Sequence, residues 1–170
     1  MALWRDERAR NGGLDEIPLP VGPGRLWLCG KHLVGPDVEA VLERTGATAV
    51  VCLNERHELE RRYPRYVAWL EENGPGGRAV WFPIPDLHVP EADAIRAFVA
   101  ELAGRLAAGD GLVVHCGAGM GRAGTVAAAV LIAQGCSVAE ALTVVAIARP
   151  GAGPQAQVQE DLLDALAAGA

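Results

Sequence analysis

The sequence predicts an α/β fold: a mostly parallel central sheet of about four to five strands with helices on both faces. Three observations point there. Short apolar runs alternate along the chain with longer stretches of helical period, the order that strand–helix–strand crossovers produce. One run, ATAVVCLN (47–54), is apolar without alternation, as a strand covered on both faces requires. The chain has 170 residues, 51% of them hydrophobic, enough to bury one domain-sized core.

Taken in order, residues 1–20 carry many charges and no sustained period, and are expected to be a loosely ordered arm ahead of a single domain over 21–170. GRLWLCG (24–30) reads as the first strand. GPDVEAVLERTG (35–46) reads as a helix opened near Pro36 and closed by Gly46. After the buried strand over 47–54, residues 58–74 are helical with a restart at Pro64. RAVWFPI (78–84) is a further strand, and 90–109 is a helix with apolar residues at helical spacing. GLVVHC (111–116) is a short strand, followed by a small-residue helix over 121–135. Ser137 and Glu140 have the spacing of a capping box opening a helix over 137–149, and a last helix follows the break at RPGAGP.

The formal net charge of −6 argues against non-specific binding to nucleic acid or to an anionic membrane, both of which need a basic face. The longest apolar run, TVAAAVLIA, is too short to span a bilayer, and the charged N-terminus does not read as a signal peptide. Cys29, Cys52, Cys116 and Cys136 form no C-x-x-C pair, so a cytoplasmic protein with free thiols is expected. No metal-ligand spacing occurs, and neither a metal nor a cofactor is expected.

The chemistry concentrates in VVHCGAGMGRAGT (113–125). Cys116 ends a strand and Arg122 begins a helix; between them lie Gly117, Ala118, Gly119, Met120 and Gly121. Three glycines in five residues let successive N–H groups turn inward at a helix N-terminus, which makes a cradle for a tetrahedral oxyanion. Arg122 adds a planar fork that holds two oxygens together. The same field favours the thiolate of Cys116 over the thiol, and a thiolate facing a bound phosphoryl group is a nucleophile aimed at phosphorus.

HCGAGMGRAGT resembles the signature loop of the cysteine-dependent protein tyrosine and dual-specificity phosphatases. The resemblance extends over roughly residues 20 to 168: GRLWLCG is similar to the family's opening strand, VVCLNERHEL to the strand and loop of its smaller members, and RPGAGPQAQVQ to its late glutamine-containing loop. It implies a protein tyrosine phosphatase-like fold and hydrolysis of phosphomonoesters through a cysteinyl-phosphate. The implied partner is a phosphorylated protein or peptide. Cys116, Arg122 and Asp86 are the implied catalytic residues, and residues 117–122 the implied phosphate cradle. The general acid is expected from Asp86 in WFPIPDLHVP, which lies just after a strand at the catalytic end of the sheet. Asp93 is the rival, but its place after Pro90 and Glu91 suits the first turn of a helix. The resemblance also implies supporting roles for His115 beneath the loop, and for Gln155 and, less, Gln159 near the attacking water. Where relatives usually carry Ser or Thr after the signature arginine, this chain has Ala123.

Other readings stay open in the sequence. A phosphoinositide or other non-protein phosphatase is disfavoured by the uncharged loop, a non-catalytic phosphate-binding module by the presence together of Cys116, Arg122 and Asp86, and a sulfurtransferase would need neither Asp86 nor the glutamines. Arg56 and His57 are candidates for the pocket rim, and Tyr63 and Tyr66 for substrate recognition. Cys52, near a neighbouring strand end, is a candidate disulfide partner for Cys116.

Overall fold

A computed structural model describes residues 12–169. Five strands form one sheet in the order β1-β2-β5-β3-β4: β1 (Leu14–Ile17), β2 (Arg25–Gly30), β3 (Ala49–Cys52), β4 (Ala79–Trp81) and β5 (Gly111–Cys116). All neighbours are parallel except β1, which runs antiparallel to β2. Among the described residues, seven helices cover the sheet: α1 (Lys31–Val34), α2 (Val38–Thr45), α3 (Pro64–Asn73), α4 (Ala92–Ala107), α5 (Gly121–Ala133), α6 (Val138–Ala148) and α7 (Gln157–Ala168). This is the α/β architecture the alternation predicts.

The sheet separates two apolar layers. On one face α4, α5, α6 and α7 pack a core that includes Leu28, Val51, Leu102, Val114, Ala127 and Leu163. On the other, α1, α2 and α3 pack over Trp27, Val50, Leu59, Tyr66 and Val113. The central strand β5 is buried at all six residues, and α5 is buried at every residue from Gly121 to Ile132. Its small side chains permit this: at Gly124 a Cβ would come within 2.3 Å of the Gly153 nitrogen. The strand and helix that carry the cysteine loop are therefore the most enclosed elements of the fold.

Several expectations change at the edges. The arm expected over 1–20 is ordered where it can be described: Leu14–Ile17 pairs with β2, because Leu14 and Ile17 both bury their side chains while Glu16 pairs with Arg25 outside. Residues 1–11 of that arm lie outside the described residues. The helix expected over 35–46 starts instead at Val38, capped by the Asp37 side chain, which accepts from the Ala40 N–H. The helix expected over 58–74 begins only at Pro64, which occupies the first turn of α3, and residues 59–62 form turns. Ser137 and Glu140 form the reciprocal capping box of α6.

Candidate active site

At the carboxyl ends of β2, β3 and β5 lies a cleft of about 370 Å³. Its walls include Cys116, Gly117, Ala118, Gly121, Arg122, Asp86 and Gln155, and residues not singled out from sequence: Lys31, His32 and Glu58. Gly119 and Met120 complete the loop but sit behind the lining.

The loop is shaped from outside. The Gly117 carbonyl accepts from the Lys31 N–H at 3.0 Å, and the Met120 carbonyl from the N–H groups of Gly124 and Gly153, both at 3.0 Å. The Ala118 and Gly119 carbonyls accept from Arg149, Nη2 at 3.0 Å and Nε at 2.8 Å. All four carbonyls thus point away from the cleft. Because a trans peptide holds its N–H opposite its C=O, the N–H groups of residues 118–121 face inward, as an anion cradle needs. Gly119 adopts φ +74°, and a Cβ there would fall 2.3 Å from the Cys29 carbonyl oxygen; only glycine fits.

Arg122 enters this cradle with most of its donors committed. Nη1 donates to Glu58 Oε2 at 2.8 Å and to the Ile84 carbonyl at 2.7 Å, and Nη2 donates to Glu58 Oε1 at 2.8 Å. The buried Nε has no hydrogen-bond partner and lies 3.5 Å from Asp86 Oδ1. A guanidinium has five N–H donors. With three used, the Nε–H and the second Nη2–H remain together on one edge, the geometry that grips two oxygens of one phosphate. Burial raises the Glu58 carboxyl, but the hydrogen bonds from Arg122, the Glu55 N–H and Asn54 outweigh it and hold Glu58 at about 2. It is therefore an anion at neutral pH, fixed behind Arg122.

Asp86 stands at the mouth, with 68% of its side chain exposed. Its Oδ1 accepts from the Leu87 N–H at 3.0 Å, and its carbonyl meets His88 Nδ1 at 2.6 Å. Leu87 has φ +64°, a left-handed conformation costly for a non-glycine residue, so the loop that aims Asp86 is under strain. Asp93 lies in the first turn of α4, outside the cleft.

His115 is fully buried on the sheet face opposite Cys116. Its Nε2 meets Tyr66 Oη at 2.6 Å and its Nδ1 lies 3.4 Å from the Cys116 carbonyl. Burial holds the imidazole at about 4, so it is neutral at pH 7. Tyr66, a recognition candidate from sequence, is instead a core residue bonded to His115, and Tyr63 bonds His32 Nδ1 at 2.6 Å.

The two glutamines separate. Gln155 lines the cleft and packs against Gly121, where a Cβ would meet its Oε1 at 2.6 Å. Gln159 is buried behind, and its Oε1 accepts from the Gln155 N–H at 2.7 Å. It fixes the residue that faces the cleft and does not line the cleft itself. Arg56 and His57 also turn away: Arg56 pairs with Glu71 over the Trp81 ring, and His57 lies by Glu55. From the same turn it is Glu58 that reaches inward. The candidate disulfide fails on geometry. Cys52 is in register with His115 on β5, one residue before Cys116, and packs in the opposite core layer. Side chains one residue apart on a strand point to opposite faces, so the sheet lies between the two sulfurs.

Among the described residues there is no group of three or more His, Cys, Asp or Glu side chains suited to a metal, and no helix long and apolar enough to cross a membrane.

Comparison with known proteins agrees with this geometry. No curated protein sequence matches the chain significantly. Among solved structures, Tk-PTP in its active form is 31% identical with a TM-score of 0.66, over 87% of this chain and 93% of that one. The kinase associated phosphatase KAP, with its catalytic-site cysteine replaced by serine, is 22% identical with a TM-score of 0.73, over 91% and 96%. PTPMT1 in complex with PI(5)P is 18% identical with a TM-score of 0.59, over 85% and 93%; these last two show likeness of fold. The family model described as the Swiss Army Knife protein, DSP-PTPase phosphatase domain, matches residues 21–162. The chain belongs to that DSP-PTPase family of cysteine-based phosphatases.

Proposed function

We propose that the chain hydrolyses phosphomonoesters of proteins, phosphotyrosine first and phosphoserine or phosphothreonine second, through a cysteinyl-phosphate on Cys116. The observation that carries this reading is the convergence on Cys116 of inward-facing peptide N–H groups and the edge of Arg122 that donates no hydrogen bond. A phosphate dianion supplies the hydrogen-bond acceptors that this buried edge lacks. In the first step the sulfur attacks phosphorus and the ester oxygen leaves, taking a proton from Asp86. In the second, a water beside Gln155 gives its proton to Asp86 and attacks phosphorus, returning Cys116 as thiolate. The cradle stabilises the equatorial oxygens in both steps.

The uncharged loop and the net charge of −6 favour a protein substrate over a membrane lipid. One observation favours the alternative of a polyanionic, non-protein phosphoester: Lys31, the single lysine of the chain, stands in the cleft wall beside His32. A panel of phosphopeptides and soluble phosphoinositides separates the two. Cys116→Ser is expected to abolish aryl phosphate hydrolysis while tungstate still binds by calorimetry. Arg122→Lys is expected to weaken both, because an ammonium cannot reproduce the two-pronged edge. Substantial turnover by Cys116→Ser removes the covalent mechanism.

A further inference from the structure

Among the described residues, the largest fully buried side chain is a charged one. Arg149, at the end of α6, has no solvent exposure. Nε donates to the Gly119 carbonyl and Nη2 to the Ala118 carbonyl. On its other side, Nη1 donates to Asp15 Oδ2 at 2.8 Å and to the Gly13 carbonyl at 3.2 Å. One half of the guanidinium therefore grips two consecutive peptides of the phosphate loop, and the other half is anchored on β1. Asp15 and Gly13 precede residue 21, where the family match begins.

We propose that Arg149, anchored by Asp15 on β1, is a positioning residue that fixes the peptide planes of the phosphate loop, so that a strand outside the family-matched segment is part of the active-site scaffold. The inference rests on the reading of that loop as the phosphate cradle. Its physical basis is the coupling of C=O and N–H across one peptide. If the 118–119 or 119–120 peptide rotates, an N–H leaves the cradle and a carbonyl oxygen enters it, facing the anion. Gly119, with no Cβ, offers little resistance to such a rotation. Arg149 opposes it because rotating either peptide breaks a hydrogen bond to a buried charge, which leaves part of the guanidinium unpaired away from water.

The test is tungstate binding by calorimetry on the full chain, with urea unfolding and steady-state kinetics in parallel. A hydrogen bond from a charged donor corresponds to about tenfold or more in affinity. Arg149→Met is expected to weaken tungstate about 30-fold or more and to lower kcat/KM for an aryl phosphate similarly. Arg149→Lys, whose ammonium serves one carbonyl well, should recover part of that loss. Asp15→Asn, which keeps an acceptor but removes the anchoring charge, should weaken tungstate about three- to tenfold. If Arg149→Met folds and binds tungstate as tightly as the parent, the proposal is overturned. If that variant does not fold, Asp15→Asn decides: lower unfolding stability with unchanged tungstate affinity makes the pair merely structural. Should the parent chain bind tungstate yet hydrolyse no phosphate ester, the hydrolase reading fails while the affinities of the variants still judge the role of Arg149.

Discussion

Replacing Glu58 by Gln tests how Arg122 is aimed. Four donors converge on this carboxylate: Arg122 Nη1 and Nη2, the Glu55 N–H and Asn54 Nδ2. An amide has one acceptor oxygen, so its NH₂ must face at least one of these donors. Losing a charge-assisted bond of this kind costs about 1.5–3 kcal/mol. An opposing effect exists, since Glu58 is an anion on the far side of the guanidinium from the phosphate. At about 7 Å and an effective dielectric of about 20, removing it relieves about 2 kcal/mol of repulsion per unit of phosphate charge. For a bound dianion this relief is about 4–5 kcal/mol and exceeds the lost bond, so ground-state binding is not weakened, and a bound ester can shift to follow a displaced guanidinium. The transition state cannot shift, being held in line between the Cys116 sulfur and the leaving oxygen. Glu58→Gln is therefore expected to lower kcat for an aryl phosphate by about 10- to 100-fold, with KM unchanged or lowered. Steady-state kinetics at neutral pH make the measurement, with tungstate affinity as a check on ground-state binding. A tenfold rise in KM at constant kcat would refute the reasoning, as would no change in either.

Asp86→Asn should cost about 10²–10⁴-fold for a phosphotyrosine-like ester and less for an ester with a good leaving group; the same pattern in Asp93→Asn would move the general acid to that residue. Ala123 leaves the sulfur without a neighbouring hydroxyl, and Thr125 does not replace it, since its Oγ1 donates to the Gly121 carbonyl at 2.7 Å. Rapid mixing should show a burst of phenol, and Ala123→Ser should raise steady-state turnover about tenfold while shrinking the burst; no burst and unchanged turnover would defeat this account. Burial depresses His115 to about 4 from an ordinary 6.5, so only its neutral form is favoured in the fold. Its contribution is complete above about pH 6.5 and is lost as pH falls toward 4, amounting to about 3 kcal/mol over that window. Urea unfolding from pH 7 to pH 4 should show that slope, and His115→Gln should flatten it; equal slopes in both proteins would show that another group carries the pH dependence.

What could be read from the sequence was what local chemistry specifies. The glycine spacing after an apolar strand marks the cradle because loop, nucleophile and arginine lie within seven consecutive residues, Cys116 to Arg122. The place of Asp86 in the cleft wall was legible because a lone carboxylate among prolines follows a strand. Glu58 was missed because its partner is 64 residues away, and its neighbours Arg56 and His57 looked better suited to a phosphate pocket. Its signal was the NERHEL turn itself: a three-residue 3-10 turn at Arg56–Glu58 presents one side chain inward, and here that is the acid. Arg149 read as a helix end before a proline, and nothing local distinguishes a buried arginine from a solvated one. The first strand was lost because four residues with two charges carry too little period, although Leu14 and Ile17 both bury.

The bond from Arg149 to Asp15 spans 134 residues of chain, and that from Arg149 to Gly119 spans 30. A contact of such long range forms late, after the entropy of closing the intervening loop has been overcome. During synthesis the cysteine, the glycines and Arg122 all emerge before α6 is complete, so the nucleophile exists in the nascent chain before its cradle is braced. With Arg149 in the role proposed above, phosphate-ester turnover reports on completed folding: a chain with its sheet collapsed but its first strand undocked would hold every candidate reactive group and lack the brace on their geometry.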